Sequence, residues 1–420
     1  MKSDYFSKIS FEPKLKTLPN SNLGLTVVIP SYNEPDLRRS LESILKCQKP
    51  NSSVEVIAVI NYPENSSTDV IENAKECIEI VADVNRLAND PNLKFYSLCT
   101  PNLPKKQAGV GLARKIGMDE AAWRLFSVNN PKGIIACYDA DSDCMPNYLV
   151  ELEKLWQIYP KTNACSIRYE HPIDGSDFDS KIYNGIAQYE LHLRYYNQAS
   201  RLIKFPFAFH TIGSSMACCA ESYVKFGGMN RHQAGEDFYF LQKIIPHGNF
   251  RELNSTCVFP SPRPSYRVPF GTGRAMLKYQ ESDDDSIHTY NFDVWSTLTP
   301  LFDNVELIYN SNTQVIETLI NGLHPALRQF ISGTNYISKI NEIKANTSSL
   351  ESFRKRFFFW FDAFMLLKYL NFAHENYFQR KPVEGEAKLL AREIGIVLPQ
   401  DANCIDLLNA FRERENRPLQ

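Results

Sequence analysis

An alternation of short apolar runs with helical segments constrains the fold of this chain most. The runs span residues 25–30, 54–60, 93–98 and 134–138 and contain many β-branched or aromatic residues. Segments with helical spacing of apolar residues follow the first three runs, at 36–46, 70–84 and 110–126. Short apolar runs are typical of strands buried on both faces. Their alternation with helices predicts a parallel α/β sheet.

The fourth run ends in acidic residues at alternate positions, Asp139, Asp141 and Asp143. In open α/β sheets, ligands bind beyond the carboxyl ends of the strands, where these residues would lie. Mg²⁺ and Mn²⁺ prefer oxygen ligands and are often held by one or two carboxylates together with substrate phosphates. Asp139 and Asp141 therefore predict a metal-nucleotide site. A solvated loop, or a helix cap at Asp143, would give the same pattern.

The composition indicates which partners are unlikely and in which cellular compartment the protein is expected. The chain has 420 residues and a formal net charge of −2, which provides no positive field for nucleic acid. The ten cysteines include no Cys-x-x-Cys pair, and such scattered cysteines fit a reducing cytoplasm. Residues 1–22 read as a polar tail without a secretory signal, and no apolar run reaches the ~18 residues of a membrane span. We therefore expect a cytoplasmic protein.

Several short motifs occur in a characteristic order. They are VVIPSYNE at 27–34, SSTD at 66–69, GVGLARKIG at 109–117, DAD at 139–141, GSS at 213–215, GGM at 227–229 and GED at 235–237. The first four closely resemble the nucleotide-sugar-binding half of family 2 glycosyltransferases, and the last three resemble the acceptor half. The resemblance covers about residues 25–274. It implies the GT-A fold, a Rossmann-like and mostly parallel sheet with flanking helices, at 23–280.

The resemblance implies a set of donor-binding residues. The base, ribose and phosphates of a nucleoside diphosphate sugar would contact Pro30, Tyr32, Glu34, Asp69 and Arg114. Helix capping is an equally good interpretation of Glu34 and of Asp69, and a solvated helix face is the alternative for Arg114. Asp139, Ala140 and Asp141 would hold the diphosphate through Mn²⁺ or Mg²⁺, with Asp141 as the usual direct ligand. The cation would stabilise charge on the leaving diphosphate.

Glu236 and Asp237 are the implied catalytic pair. In inverting members of the family, the Asp of this pair takes the proton of the acceptor hydroxyl as the hydroxyl attacks the anomeric carbon. A positioned general base of this kind contributes ~10² to 10⁴ in rate. The alternative is that Asp237 only caps a helix at 238–245. Gly235 would let the backbone approach the donor, and the sugar and acceptor cleft would be lined by Gly213, Ser214 and Ser215.

One segment departs from the family pattern. Many relatives carry a histidine after the strand that follows Glu-Asp, whereas 260–274 contains Arg263, Arg267 and Arg274 instead. Guanidinium groups bind phosphate in a bidentate manner and do not ligate metals. We expect one of these arginines to hold the diphosphate on a loop that closes over the donor, with water completing the shell of the cation. A merely solubilising role is the alternative.

Beyond the acidic residues 283–285 the resemblance ends. Helical spacing at 305–323, 327–341, 350–371 and 384–394 predicts a mainly helical region at 281–420. Segment 354–370 combines basic and aromatic residues, a composition that favours peripheral contact with the inner face of a membrane. The apolar stripe of Phe361, Phe364, Leu367 and Leu370 also fits a helix packed in a core, which we favour.

Together these patterns predict a metal-dependent glycosyltransferase. It would move a sugar from a nucleoside diphosphate donor to a hydroxyl of a glycan, lipid or small-molecule acceptor, with inversion. A single transfer is expected because the chain lacks the membrane helices of processive synthases. Retaining transfer and a non-catalytic nucleotide- or sugar-binding module are the alternatives, whereas a nucleotidyltransferase has no need of the Gly-Glu-Asp motif. The oligomeric state is not predicted.

Overall fold

The computed structural model describes residues 4–104, 108–231, 235–267 and 271–416. The chain divides into two compact units, the first comprising Met1–Tyr183 and Thr211–Lys278 and the second Asn184–His210 and Tyr279–Gln420. The second unit therefore includes a segment from the middle of the chain. The division expected from the sequence, at 1–22, 23–280 and 281–420, stays a prediction.

The first unit contains the predicted alternation of strands and helices. In chain order its elements are α1 (Asp4–Lys8), β1 (Leu23–Ser31), α2 (Leu37–Leu45), β2 (Ser53–Pro63), α3 (Thr68–Ala88), β3 (Leu93–Leu103), α4 (Val110–Ser127), β4 (Ile134–Cys137), β5 (Asp143–Cys144), α5 (Tyr148–Ile158), β6 (Ala164–Tyr169), α6 (Ser180–Leu202), β7 (Met216–Cys219), α7 (Ala220–Lys225), α8 (Glu236–Ile244), a 3₁₀ turn (Ile245–His247), β8 (Phe250–Phe259) and α9 (Thr272–Glu281). Of these, α6 and α9 continue into the second unit. The four strands and three helices expected in the first part of the chain are all present.

The strands of the first unit form one sheet. Among the described residues it has eight strands in the order β3-β2-β1-β4-β7-β6-β8-β5. β1 is parallel to β2 and β4, β2 to β3, and β6 to β8, whereas β7 is antiparallel to both of its neighbours and β5 to β8. This mostly parallel sheet with flanking helices confirms the predicted fold class.

Both faces of the first strands are covered, as their uninterrupted apolar sequence requires. Leu25, Val27 and Ile29 of β1 belong to the same buried cluster as the apolar residues of α2. Helix α4 covers the opposite face. It approaches closely because Gly117 has no side chain, since a Cβ there would lie 2.4 Å from Cγ1 of Val28. The sheet is therefore a rigid layer between helices.

The amino-terminal segment packs against α4. The Tyr5 hydroxyl donates a hydrogen bond of 2.6 Å to Asp119, and Phe6 is buried. The backbone N–H groups of Lys14 and Leu15 donate to the Glu120 carboxylate at 2.8 and 3.2 Å. The segment that reads as a polar tail in the sequence thus contributes buried residues to the first unit.

Strand topology brings three separate segments of the chain to one edge of the sheet. Because β1 and β4 are parallel neighbours, the loops at 32–36 and 138–142 leave the sheet side by side. Asp143 of β5 pairs with Phe259, the last residue of β8, in an antiparallel register. The chain that follows β8 therefore passes beside the acidic loop that follows β4.

The second unit is mainly helical, as predicted. Its further elements are β9 (His288–Thr289), α10 (Phe292–Ser296), α11 (Thr299–Asp303), α12 (Val305–Asn310), α13 (Thr313–Asn321), α14 (Pro325–Ser332), α15 (Tyr336–Ala345), α16 (Leu350–Trp360), α17 (Ala363–Asn376), β10 (Lys381–Pro382), α18 (Val383–Glu393) and α19 (Cys404–Asn416). Strands β9 and β10 form a short antiparallel pair. In the described parts of the chain, every helix is too short or too polar to cross a bilayer.

The helical segment expected at 350–371 is two helices rather than one. The first helix ends at Trp360, and Asp362 caps the second, since its side chain accepts a hydrogen bond of 2.9 Å from the N–H of Met365. Phe361 and Leu370 are fully buried and Phe364 and Leu367 are half-buried, which supports the packing interpretation of the apolar stripe. The basic residues Arg354–Arg356 of α16 are exposed.

Candidate active site

The acidic motif lies in a tight turn directly after β4. The backbone carbonyl of Asp139 accepts hydrogen bonds from the hydroxyl of Ser40 at 3.0 Å and from the N–H of Ser142 at 3.2 Å. These bonds fix the turn against α2. The Asp139 side chain is 35% exposed and that of Asp141 is 23% exposed, so both carboxylates can be reached from solvent.

Arg114 connects the acidic motif to the Gly-Glu-Asp motif. Its Nη2 donates to Oδ1 of Asp139 at 2.5 Å, and its Nη1 donates to Oε1 of Glu236. The Arg114 side chain is only 5% exposed. Burial alone would lower the pKa of this guanidinium, but the charges of Asp139 and Glu236 outweigh it and raise the pKa. Two motifs that are far apart in the sequence thus meet on one buried cation.

Gly213 provides the space that Arg114 occupies. A Cβ at position 213 would lie 2.4 Å from Nη1 and 2.6 Å from Nη2 of Arg114, closer than any real contact. Both groups belong to the first unit, and Arg114 is held from the other side by two carboxylates. The guanidinium therefore cannot move aside without breaking an ion pair.

We expect Gly213→Ala to destabilise the first unit and to disturb the site. The clash with Arg114 should cost about 1–3 kcal/mol of unfolding free energy, as is usual for overpacking. Urea unfolding measures this loss. Gly385→Ala is the matched control, because a Cβ at position 385 meets no atom within 4 Å. A Gly213→Ala protein as stable as the control would contradict this packing of Arg114.

Glu236 and Asp237 begin α8 and have different environments. Gly235 precedes them with a φ of 69°, a left-handed conformation that favours glycine. Glu236 is 1% exposed and bound to Arg114, whereas Asp237 is half-buried. The Asp237 carboxylate accepts a hydrogen bond of 2.7 Å from the N–H of Phe238. Burial, together with the nearby charge of Glu236, raises the pKa of Asp237 to about 7.

A second network surrounds Glu34. Nη2 of Arg263 donates to Oε2 of Glu34 at 2.6 Å, and Nη1 of Arg267 donates to the same oxygen at 2.8 Å. Glu34 is 3% exposed. Burial alone would raise its pKa, but the two arginines outweigh burial and lower it. Arg267 also donates to the backbone carbonyl of Tyr32 at 3.0 Å.

Arg263 extends this network to the acidic motif. Its Nη2 lies 3.1 Å from Oδ2 of Asp141, and its Nη1 donates to Oδ2 of Asp36 at 2.9 Å. The pKa of Asp141 is nevertheless raised to about 7, first by burial and then by the charges of Glu34 and Asp139.

The donor set fits a divalent cation that is completed by a ligand. Within the described ranges, no group of three or more His, Cys, Asp or Glu side chains is arranged to hold a metal. Mg²⁺ and Mn²⁺ need only one or two carboxylates when substrate phosphates supply other oxygens. Asp139 and Asp141 would provide those carboxylates, since both side chains lie in the turn after β4 and are partly exposed.

The other residues predicted to bind the donor are Pro30, Ala140, Asp69 and Arg274. Pro30 is half-buried at the end of β1, and Ala140 is buried between the two aspartates of the motif. Asp69 is exposed in the first turn of α3, beyond the carboxyl end of β2. Arg274, in the first turn of α9, lies over the ring of Tyr266, 5.8 Å from its centroid.

Ser214 and Ser215, which the sequence predicts in the wall of the sugar and acceptor cleft, are almost fully buried. Ser214 and Ser215 are 2% and 1% exposed, and their hydroxyl oxygens lie 3.4 Å from each other. The backbone of Ser215 is bonded to Ile212 and to Ile167. In the structure these residues hold the backbone next to Arg114 rather than present hydroxyl groups to solvent.

Sequence reasoning missed two residues of the Glu34 network. Asp36 was read as the beginning of a helix, yet its carboxylate binds Arg263. Asn73 of α3 accepts from the N–H of Glu34 at 2.9 Å and donates to the carbonyl of Glu34 at 3.2 Å. The position of Asp36 beside the YNE motif was a usable signal, whereas nothing near Asn73 in the sequence indicates this role.

Comparisons with known proteins give a match to a family model and similarity to solved structures. Residues 26–221 match the family model described as Glycosyl transferase family 2. A search of curated proteins finds no match.

Among solved structures, S. aureus TarS 1–349 is similar at 13% identity and a TM-score of 0.41, covering 79% of this chain and 89% of that one. Its complex with UDP-GlcNAc gives 12% identity and a TM-score of 0.41, covering 79% and 90%. At these TM-scores the likeness supports no residue role.

Proposed function

We propose how the site of this protein transfers a sugar. The premise is that residues 26–221 belong to glycosyl transferase family 2 and that the protein is a glycosyltransferase. The donor is a nucleoside diphosphate sugar, and the acceptor is a hydroxyl of a glycan, lipid or small molecule. The reaction depends on Mn²⁺ or Mg²⁺ and inverts the anomeric configuration.

The strongest support for the proposal comes from the two ion pairs of Arg114. Arg114 binds Asp139 of the acidic motif and Glu236 of the Gly-Glu-Asp motif at once. A bridge through a single buried side chain keeps the two motifs within a few ångströms of each other. The residues for donor phosphates and the residue for the acceptor proton therefore lie at one centre, as a transfer between two substrates requires.

The donor half of the proposal uses the network after β1. Tyr32, Glu34 and Asp69 bind the nucleoside, and Arg263 binds the diphosphate as a bidentate donor while Arg267 stays with Glu34. Asp141 and Asp139 would hold the cation, which stabilises the charge that develops on the leaving diphosphate. The position of both side chains in the turn directly after β4, where they are partly exposed, supports this assignment.

The acceptor half uses Asp237 as the general base. The acceptor oxygen forms a bond to the anomeric carbon, its proton passes to the Asp237 carboxylate, and the bond from the anomeric carbon to the diphosphate oxygen breaks. The partial exposure of Asp237, together with the hydrogen bond that its carboxylate accepts from the N–H of Phe238, supports this role. Glu236 and Arg114 are buried in an ion pair, so we assign them to positioning.

We expect the rate of transfer to fall as pH drops below about 7. The base acts only when deprotonated, and the pKa of Asp237 is raised to about 7, so the active fraction decreases tenfold per pH unit well below that value. Measuring kcat against pH at saturating Mn²⁺ and donor tests this, because bound cation keeps Asp141 ionised. A profile that is flat down to pH 5 would contradict the assignment of the base.

The proposal also includes contact with a membrane surface and a cytoplasmic location. The exposed basic residues Arg354–Arg356 support peripheral contact with an anionic membrane surface. A cytoplasmic location, expected from the scattered cysteines, stays a prediction.

Product analysis tests the proposed reaction. The protein is incubated with UDP-, GDP- and dTDP-sugars and Mn²⁺ in the presence of an acceptor panel, and the released nucleoside diphosphate and the anomeric configuration of the product are measured. Inverted product with one donor class supports the proposal. Retained configuration would remove Asp237 as the base of a direct displacement, and no release with any donor would favour a non-catalytic binding module.

A further inference from the structure

Arg263 is bound to three carboxylates that the proposed donor site also needs. Its guanidinium lies within 3.1 Å of Glu34, Asp36 and Asp141. The Arg263 side chain is 18% exposed, so it lies inside the network rather than on the surface. A residue expected to bind the donor diphosphate thus satisfies its charge within the protein when no donor is present.

The contact with Asp141 conflicts with a cation at the same carboxylate. Arg263 reaches Oδ2 of Asp141, and a cation bound to that carboxylate would place two positive charges next to each other. Like charges at such short range repel strongly in a partly buried site. Cation binding and the Arg263–Asp141 contact therefore oppose each other.

The other partners of Arg263 can be released at low cost. Glu34 keeps a second arginine, because Arg267 binds the same oxygen at 2.8 Å. Asp36 is 47% exposed and returns to solvent, where loss of a surface ion pair changes stability little. Asp141 would gain the cation in place of the guanidinium. Each of the three carboxylates thus has a partner after Arg263 leaves.

We propose that Arg263 competes with the divalent cation for Asp141, so that the cation binds tightly only when a diphosphate draws the guanidinium away. This inference rests on the proposed function, since it needs a cation at Asp141 and a diphosphate as the alternative partner of Arg263. Arg263 is then a positioning residue that couples the two ligands. By linkage, each ligand strengthens the binding of the other by the same factor.

Binding of Mn²⁺ alone tests the inference without any activity assay. The loss of the electron paramagnetic resonance signal of free Mn²⁺ measures its dissociation constant for the wild type, Arg263→Gln, Arg267→Gln and Asp141→Asn. We expect Arg263→Gln to bind Mn²⁺ at least about fivefold more tightly than the wild type, the lower end of typical coupling factors. The double variant Arg263→Gln, Asp141→Asn should lose this gain.

Arg267→Gln is the matched control for charge. It removes the same charge from the same network, but Arg267 forms its hydrogen bonds with Glu34, Tyr32 and Ser265 and acts on Asp141 through its charge rather than through a direct contact. A clearly smaller gain in Arg267→Gln supports direct competition. An equal gain in the two variants would overturn it in favour of a general charge effect. Circular dichroism verifies folding, and Arg263→Lys, which cannot bridge three carboxylates, should give an intermediate gain if Arg263→Gln does not fold.

The remaining outcomes separate this inference from the proposed function. If Arg263→Gln binds Mn²⁺ no more tightly than the wild type, while Asp141→Asn loses binding, the competition is wrong and the metal site stands. If no variant binds Mn²⁺ at millimolar concentrations, the metal site and the competition both fail.

Discussion

Asp237→Asn is expected to lower the rate of sugar transfer by a factor of about 10² to 10⁴ while donor binding stays almost unchanged. Asparagine has the same shape and can still accept the hydrogen bond from the N–H of Phe238, so α8 should begin as before. It cannot take the proton of the acceptor hydroxyl at neutral pH. The substitution also removes a charge that the neighbouring Glu236 disfavours, so the fold should not be weakened.

Single-turnover rates and donor dissociation constants measure the two parts of this expectation. Asp83→Asn is the matched control, because Asp83 of α3 binds Arg38 of α2 and Arg86 of α3 and takes no part in the networks of the site. The control should transfer sugar at the rate of the wild type. Transfer by Asp237→Asn at that same rate would remove Asp237 from the role of base.

Arg114→Met is expected to have the largest effect on stability. Arg114 is buried between Asp139 and Glu236, and removing one partner of a buried ion pair costs about 3–5 kcal/mol because the remaining charges lose their compensation. The same change should abolish donor binding, since the acidic motif and the Gly-Glu-Asp motif lose their common partner. Arg114→Lys should be intermediate, because an ammonium group lacks the planar fork that binds two carboxylates.

Arg124→Met separates the two effects. Arg124, also on α4, forms a buried bidentate pair with Glu55, with bonds of 2.6 and 2.7 Å. We expect a comparable loss of unfolding free energy in urea but normal donor binding by the folded fraction. If Arg114→Met and Arg124→Met lost donor binding to the same extent, Arg114 would have no particular role in the site.

The fold of the first unit could be predicted from the sequence because the patterns that indicate its strands and loops are local. Each early strand is a continuous apolar run, and each ends at a polar loop that carries a recognisable motif. The parallel order of such strands places Glu34 and the acidic motif at one edge of the sheet. Periodicity and topology therefore suffice to bring these residues together.

Contacts between distant segments were not predictable in this way. The sequence indicates that Arg114 and Arg263 are basic residues near phosphates, yet their partners depend on the register of β4, β5 and β8. Tyr5 and Phe6 are buried only because α4 offers Asp119 and an apolar surface to them. In the second unit, a single capping residue, Asp362, divides one apolar stripe between two helices.

Thermal unfolding with nucleotide donors tests the central claim, a metal-dependent donor site at Asp141, most directly. The wild type, Asp141→Asn and Asp143→Asn are compared with UDP-, GDP- and dTDP-sugars, with and without Mn²⁺. Asp143, in β5 directly after the loop that holds Asp141, is the control, since its carboxylate binds Arg39. A donor at ~100 times its dissociation constant adds about 2.7 kcal/mol of stability.

We predict that one donor class stabilises the wild type and Asp143→Asn only when Mn²⁺ is present, and that Asp141→Asn loses this stabilisation. Equal stabilisation of Asp141→Asn, or stabilisation that does not need Mn²⁺, would contradict the account.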